Sequence, residues 1–392
     1  MKRVLIGFGG VILLAAIAFF TLAPGVVERQ RNQIDAKPLP QISAEARALH
    51  ETLRVVDLHG DTLLWQRDML EPAERGHIDL PRLQQGNVTL QVFSSVTKTP
   101  KNQNYDSNTD ETDNITLLAI GQLQPVRTWG SLLERTLWHG EKLERAAQGS
   151  DGRLTLVRTP ADIVPVRAPD VADPPVAAML SVEGLHNLEG DLANLDVLYD
   201  AGVRMAGLVH FFDNDLAGSM HGVAKSGLTP MGRDTVQQME AMGMIVDIAH
   251  CSHACVADVL AMATRPVVSS HGGVQATCPV NRNLTDEEIR GLARTGGVIG
   301  IGYWPGAVCD TSPQAIVAAM AHVRDLVGIG HVALGSDFDG SVTTGFDTAQ
   351  LAQVTQALMD AQFSAEEIRA VMGGNALRVL EEGLRPQGKA NA

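Results

Sequence analysis

Three histidines and two carboxylates stand where a metal could be held. His59 and Asp61 lie two apart in D-L-H-G-D (57–61), Glu183 falls in S-V-E-G (181–184), His250 closes V-D-I-A-H (246–250) and His271 closes S-S-H (269–271). Imidazole nitrogens and carboxylate oxygens without thiolates suit zinc and differ from the all-oxygen cage that calcium takes. On a strand, side chains alternate with a period of two, so H-x-D turns His59 and Asp61 to one side. Five ligands exceed the three usual for one catalytic zinc, and a carboxylate shared by two ions resolves the surplus. Glu183 is the natural bridge, because it lies between the other groups in chain order. The sequence holds no H-E-x-x-H, which argues against a helix-based zinc protease. His210 in L-V-H-F-F and Asp337 in G-S-D-F-D-G (335–340) stand in the same kind of position, just after an apolar run.

Those runs are the elements that must position the ligands. Eight short apolar runs, at 53–58, 88–96, 176–182, 203–209, 244–249, 266–270, 297–303 and 331–336, alternate with longer amphipathic stretches. This is the pattern of β–α units around a parallel sheet. Helices are predicted over 229–242, with Pro230 in the first turn, over 285–294, which opens T-x-x-E like a capping box, and over 312–327. Periodicity alone does not separate a closed barrel from an open doubly wound sheet. The placement of polar residues does: in a (β/α)8 TIM-type barrel all strand ends point at one mouth, where barrel enzymes carry out their chemistry.

The chain has 392 residues, 45% of them hydrophobic and 19% charged, which excludes a disordered chain. Its 31 basic and 45 acidic residues give a net charge of −14, so no nucleic-acid surface is expected. Four cysteines exclude a disulfide scaffold, and Cys251 and Cys255 read as two small buried side chains. Residues 4–23 carry no charge, are long enough as a helix to span a bilayer, and follow Lys2 and Arg3. The expectation is an uncleaved single-pass anchor over 1–27, with its N-terminus cytoplasmic and the catalytic domain extracytoplasmic, periplasmic if the source is bacterial. Residues 28–42 read as a polar tether, 43–383 as one catalytic domain and 384–392 as a polar tail; the polar insert 97–114 reads as a solvated loop or lid.

D-L-H-G-D, S-V-E-G, V-D-I-A-H, S-S-H followed by N-R-N (281–283), and G-S-D-F-D-G together resemble the membrane dipeptidase, or renal dipeptidase, family of the amidohydrolase superfamily. The resemblance covers residues 45–383 and implies an amidohydrolase-like barrel with two zinc ions per chain that hydrolyses dipeptides through a metal-activated hydroxide. It implies His59 and Asp61 on one ion, His250 and His271 on the other, and Glu183 bridging. It also implies His210 as a substrate-binding and catalytic group, Arg282 as the holder of the substrate carboxylate, and Asp337 as the catalytic acid/base. Dimers are common in such a family, so a homodimer is a further expectation. H-G-D-T replaces the frequent H-N-D-L-P, and residues 211–221 differ from the animal enzymes, so substrate preference is less constrained than reaction type. The alternatives are an amidohydrolase acting on N-acyl amino acids and a catalytically silent membrane-anchored binding protein.

Overall fold

All eight apolar runs become strands of a closed parallel barrel in the computed structural model, which describes residues 17–167 and 174–385. The strands are β1 (Val55–Gly60), β2 (Val88–Val96), β3 (Val176–Glu183), β4 (Val203–Gly207), β5 (Ile245–Asp247), β6 (Val268–Gly272), β7 (Val298–Ile301) and β8 (Val332–Leu334). Each pairs with the next, and Leu334 of β8 pairs with Asp57 of β1 to close the ring. A short ninth strand, Leu154–Leu156, adds to β3 from outside the ring. Every residue of the eight barrel strands is buried, which is why the sequence showed continuous apolar runs rather than alternation. Leu90, Val92, Met179, Met205 and Val298 belong to one buried cluster that Leu377 and Leu380 of the C-terminal helix Asn375–Gly383 complete.

The three predicted helices form as Pro230–Met242, Asp286–Arg294 and Pro313–Val327, each capped by the side chain of the residue before it: Thr229, Thr285 and Ser312. The capping box of Thr285 and Glu288 is complete.

Residues 1–16 of the expected anchor 1–27 lie outside the described residues, and no described helix is long and apolar enough to cross a membrane. One expectation at the N-terminus does change. Residues 28–42 do not hang free as a tether. The helix Ala23–Arg31 buries Glu28 between Arg67 and Arg75, with both Oε–Nε distances 2.6 Å. The strand Gln33–Ile34 then pairs in parallel with Thr343–Thr344. A buried carboxylate with two guanidinium partners and a strand with a ladder partner are fixed to the barrel, a tertiary outcome that a locally polar composition does not encode. Of the tail 384–392, residues 386–392 lie outside the described residues.

Candidate metal centre

The expected ligands converge at one end of the barrel. Glu183, the last residue of β3, is the hub: its Oε1 lies 2.8 Å from His250 Nε2, 3.2 Å from His271 Nε2 and 3.7 Å from His59 Nε2, and its Oε2 lies 3.4 Å from His210 Nε2. The Nε2 atoms of His250 and His271 are 2.9 Å apart, and His59 Nε2 is 3.5 Å from Asp61 Oδ1. Three sets of donor atoms each fit within 4.8 Å: His59, Glu183 and His271; Glu183, His210 and His250; and His59, Asp61 and Asp337. His210, expected as a substrate contact, thus stands close enough to be a ligand as well.

Strand alternation is not what brings His59 and Asp61 together, because Asp61 lies just beyond β1. The β1–β2 register slips between Asp57 and Gly60, and the β6–β7 register slips between Ser269 and Gly272. Each irregularity brackets an expected ligand, His59 or His271, and such slips re-aim side chains beside active sites. His250 and Asp337 have φ of 64° and 59°, left-handed conformations that non-glycine residues adopt rarely and mostly where function requires them. Gly340 makes room at that point: a Cβ there would meet Asp337 Oδ1 at 1.9 Å.

Electrostatics fits a cation. Burial opposes charge on His59, but Asp61 and Glu183 outweigh it and hold its imidazolium up to about 10. Burial and the Glu183 charge push Asp61 up to about 6, and burial carries Asp337 well above the usual carboxylate range, with Asp61 and Glu183 adding to the rise. Burial raises Glu183 too, but His210 and His59 overcome it and hold that carboxyl low. Burial drives His250 and His271 far below the ordinary imidazole value, so both rings are neutral and can offer a lone pair. His59 Nε2 and Asp61 Oδ1 are buried without a hydrogen-bond partner. Unpartnered buried donor atoms around convergent carboxylates are what a divalent metal would satisfy.

A second ring of residues, which the sequence reading quoted in motifs without assigning, orients the ligands. Asp247 accepts hydrogen bonds from Ser270 Oγ (2.5 Å) and Ser270 N (2.9 Å), and Ser270 Oγ lies 2.9 Å from His271 Nδ1. Asp57 accepts from Ser336 N at 2.8 Å, from Ser336 Oγ and from Gln91 Nε2 at 3.2 Å. The signal was available: each is an acid inside an otherwise apolar strand, and buried acids need partners.

This cluster of histidines and carboxylates opens into a cavity of about 680 Å³. Arg282 is buried beside it, its guanidinium 4.6 Å over the Trp304 ring, Nη1 donating to His271 O, and Nη2 without a partner. A disulfide, Cys278–Cys309, ties the Arg282 loop to the loop that follows Trp304. The sequence reading did not anticipate this bridge, while Cys251 and Cys255 are buried and free as expected. The insert 97–114 lies at the mouth of the cavity. Asn108 N and Nδ2 both donate to His221 O, and Tyr105 O accepts from Asn281 Nδ2 at 2.8 Å. Thr99, Lys101 and Tyr105 of this insert line the cavity.

Other histidines serve structure. His253 pairs with Glu288, His322 with Asp286, His139 with Ser95, and His331 with Gly297 O; His77 holds Asp339 N, and His186 contacts Thr97 Oγ1. His221 stacks on Phe211 with centroids 4.6 Å apart rather than lining the cavity.

Comparison with known proteins agrees with this geometry. The family described as Membrane dipeptidase (Peptidase family M19) matches residues 43–388. Dipeptidase tcpJ of Claviceps purpurea is 29% identical over 80% of this chain and 72% of its own length. Dipeptidase aclJ of Aspergillus oryzae is 28% identical over 89% of this chain and 81% of its own. Among solved structures, a metallo peptidase from Rhodobacter sphaeroides superposes with a TM-score of 0.68 at 24% identity, covering 85% of this chain and 99% of that one. The probable dipeptidase PvdM of Pseudomonas aeruginosa gives 0.72 at 20% identity, covering 88% and 98%.

Proposed function

The chain belongs to the membrane dipeptidase family, peptidase family M19, and is a metallo-dipeptidase, and on that premise we propose that it cleaves dipeptides with two zinc ions held by His59, Asp61, Glu183, His250 and His271. The observation that carries this reading is the hub of Glu183, whose single carboxylate reaches three histidine Nε2 atoms within 3.7 Å. The similar Rhodobacter sphaeroides peptidase, solved with a phosphinate mimic of the dipeptide L-Ala-D-Ala, supports the substrate class.

When bound, two zinc ions would supply Lewis acidity at the scissile carbonyl and lower the pKa of the attacking water. His210 donates to the carbonyl oxygen as negative charge develops there. Asp337 takes the proton of the attacking water and delivers it to the leaving amine, so water and peptide become a free acid and a free amine. Its raised affinity for protons suits that relay. Arg282, pinned over Trp304 with one buried N–H group unpartnered, holds the substrate carboxylate by a two-pronged contact that Lys would not reproduce.

The clamp is tested by assaying free dipeptides, their C-terminal amides and N-acyl amino acids side by side. Dipeptides should be cleaved at least about tenfold more efficiently than their amides, and Arg282→Ala should raise KM on dipeptides more than it lowers kcat. Equal cleavage of the amides would contradict the clamp, and a preference for N-acyl amino acids would favour that second reading. We also propose that the barrel is extracytoplasmic and held at the cell membrane by the apolar residues ahead of it. Lys2, Arg3 and the Cys278–Cys309 bridge, a linkage that persists in oxidising compartments, support that placement.

A further inference from the structure

The structure places residues ahead of the family's shared region into the wall of the catalytic cavity. The family match begins at residue 43, yet Pro24 and Val27 line the same cavity as Glu183 and Asp337. We propose that this N-terminal arm is a specificity element of the enzyme and that it selects dipeptides whose amine-side residue carries a large apolar side chain, an inference that rests on the dipeptidase reading.

The arm is built in rather than draped. Glu28 is 1% exposed, and its carboxylate engages Arg67 and Arg75; Arg67 continues to Asp339, two residues beyond Asp337. Asn32 Oδ1 accepts from Ser341 N at 2.9 Å, and Gln33 N donates to Val342 O at 3.1 Å. One continuous set of contacts therefore joins the arm to the loop that carries the acid/base residue. A wall fixed to that loop has a defined position relative to the reacting carbonyl, which is what a specificity pocket needs.

Its chemistry names the ligand class. Val27 remains 39% exposed and, on the helix Ile115–Gly121 that packs against the arm and also lines the cavity, Leu117 59%. Apolar surface inside a cleft is favourable only once an apolar group displaces its water. The substrate carboxylate lies at Arg282 and Trp304, so the carboxyl-side residue occupies that part of the site. The amine-side residue is left the part lined by Asp61, Trp65 and the arm. Two cations at the rim, Arg31 and Lys101, offer the competing possibility of an acidic side chain.

The test uses the full, metal-loaded chain and the dipeptides Gly-Gly, Ala-Gly, Leu-Gly, Phe-Gly and Glu-Gly. The expected result is a kcat/KM at least about tenfold higher for Leu-Gly and Phe-Gly than for Ala-Gly, with Val27→Asp bringing the ratio to about one. Glu28→Gln, which weakens the arm's attachment, should lower the same ratio; Val27, being partly exposed, gives a variant that does not depend on the buried ion pairs. A purely structural role would scale all five substrates together and leave the ratio unmoved. A ratio unchanged in Val27→Asp, or a preference for Glu-Gly, overturns the inference while leaving the dipeptidase reading intact. A wild-type protein that cleaves none of the five overturns the reading and the inference with it.

Discussion

At the scale of single residues, the site is an assembly of groups each held in an unusual state. His250 and Asp337 sit in left-handed backbone, His250 and His271 are neutral, and Asp337 binds its proton more tightly than a free carboxylate does. If Asp337 relays the proton, Asp337→Asn should lower kcat by about 10²-fold or more while metal content, measured by elemental analysis, stays near that of the parent. Retained activity would remove it from the mechanism. The candidate ligands His59, Glu183, His250 and His271 were legible because a polar residue closing an apolar run stands out in a sequence. Asp57 and Asp247 were not assigned, because their partners, Ser336 just beyond β8 and Ser270 on β6, become neighbours only when the barrel closes. The slips of register that aim His59 and His271 were equally hidden, since they depend on how two strands pair.

At the scale of elements, strands and capped helices were readable and the attachments between loops were not. The T-x-x-E signal of Thr285 gave a complete capping box because capping is decided within four residues. The docking of the helix Ala23–Arg31 depends on Arg67, Arg75 and Asp339, far away in the chain, and the local polarity of residues 28–42 suggested a tether instead. The segment 97–114 was recognisable as a polar insert, but not its anchorage to His221 and Asn281. The disulfide belongs to this scale as well. It closes a separation of 31 residues and joins the two loops that present Arg282 and Trp304. Replacing both cysteines, Cys278→Ser with Cys309→Ser, should lower the unfolding free energy by about 2–4 kcal/mol, read from the shift in denaturant midpoint. An unchanged midpoint would mean that the bridge does not form in the folded protein.

For the whole molecule, the net charge of −14 argued against a nucleic-acid surface but did not show where its acids act. Three of them, Asp61, Glu183 and Asp337, are buried together at the mouth of the barrel among histidines, an arrangement that a divalent metal would balance. The fold supplies the convergence, because eight strand ends meet at one face, and the N-terminal arm and the insert 97–114 narrow that face to a cavity of about 680 Å³. The central claim is that this cluster holds two zinc ions and that dipeptide hydrolysis depends on both. The direct measurement is a zinc titration of chelator-stripped protein with dipeptide hydrolysis as the readout. The account predicts no activity without metal and a rise that levels off at two equivalents per chain; hydrolysis that persists in the stripped protein, or that saturates at one equivalent, would contradict it.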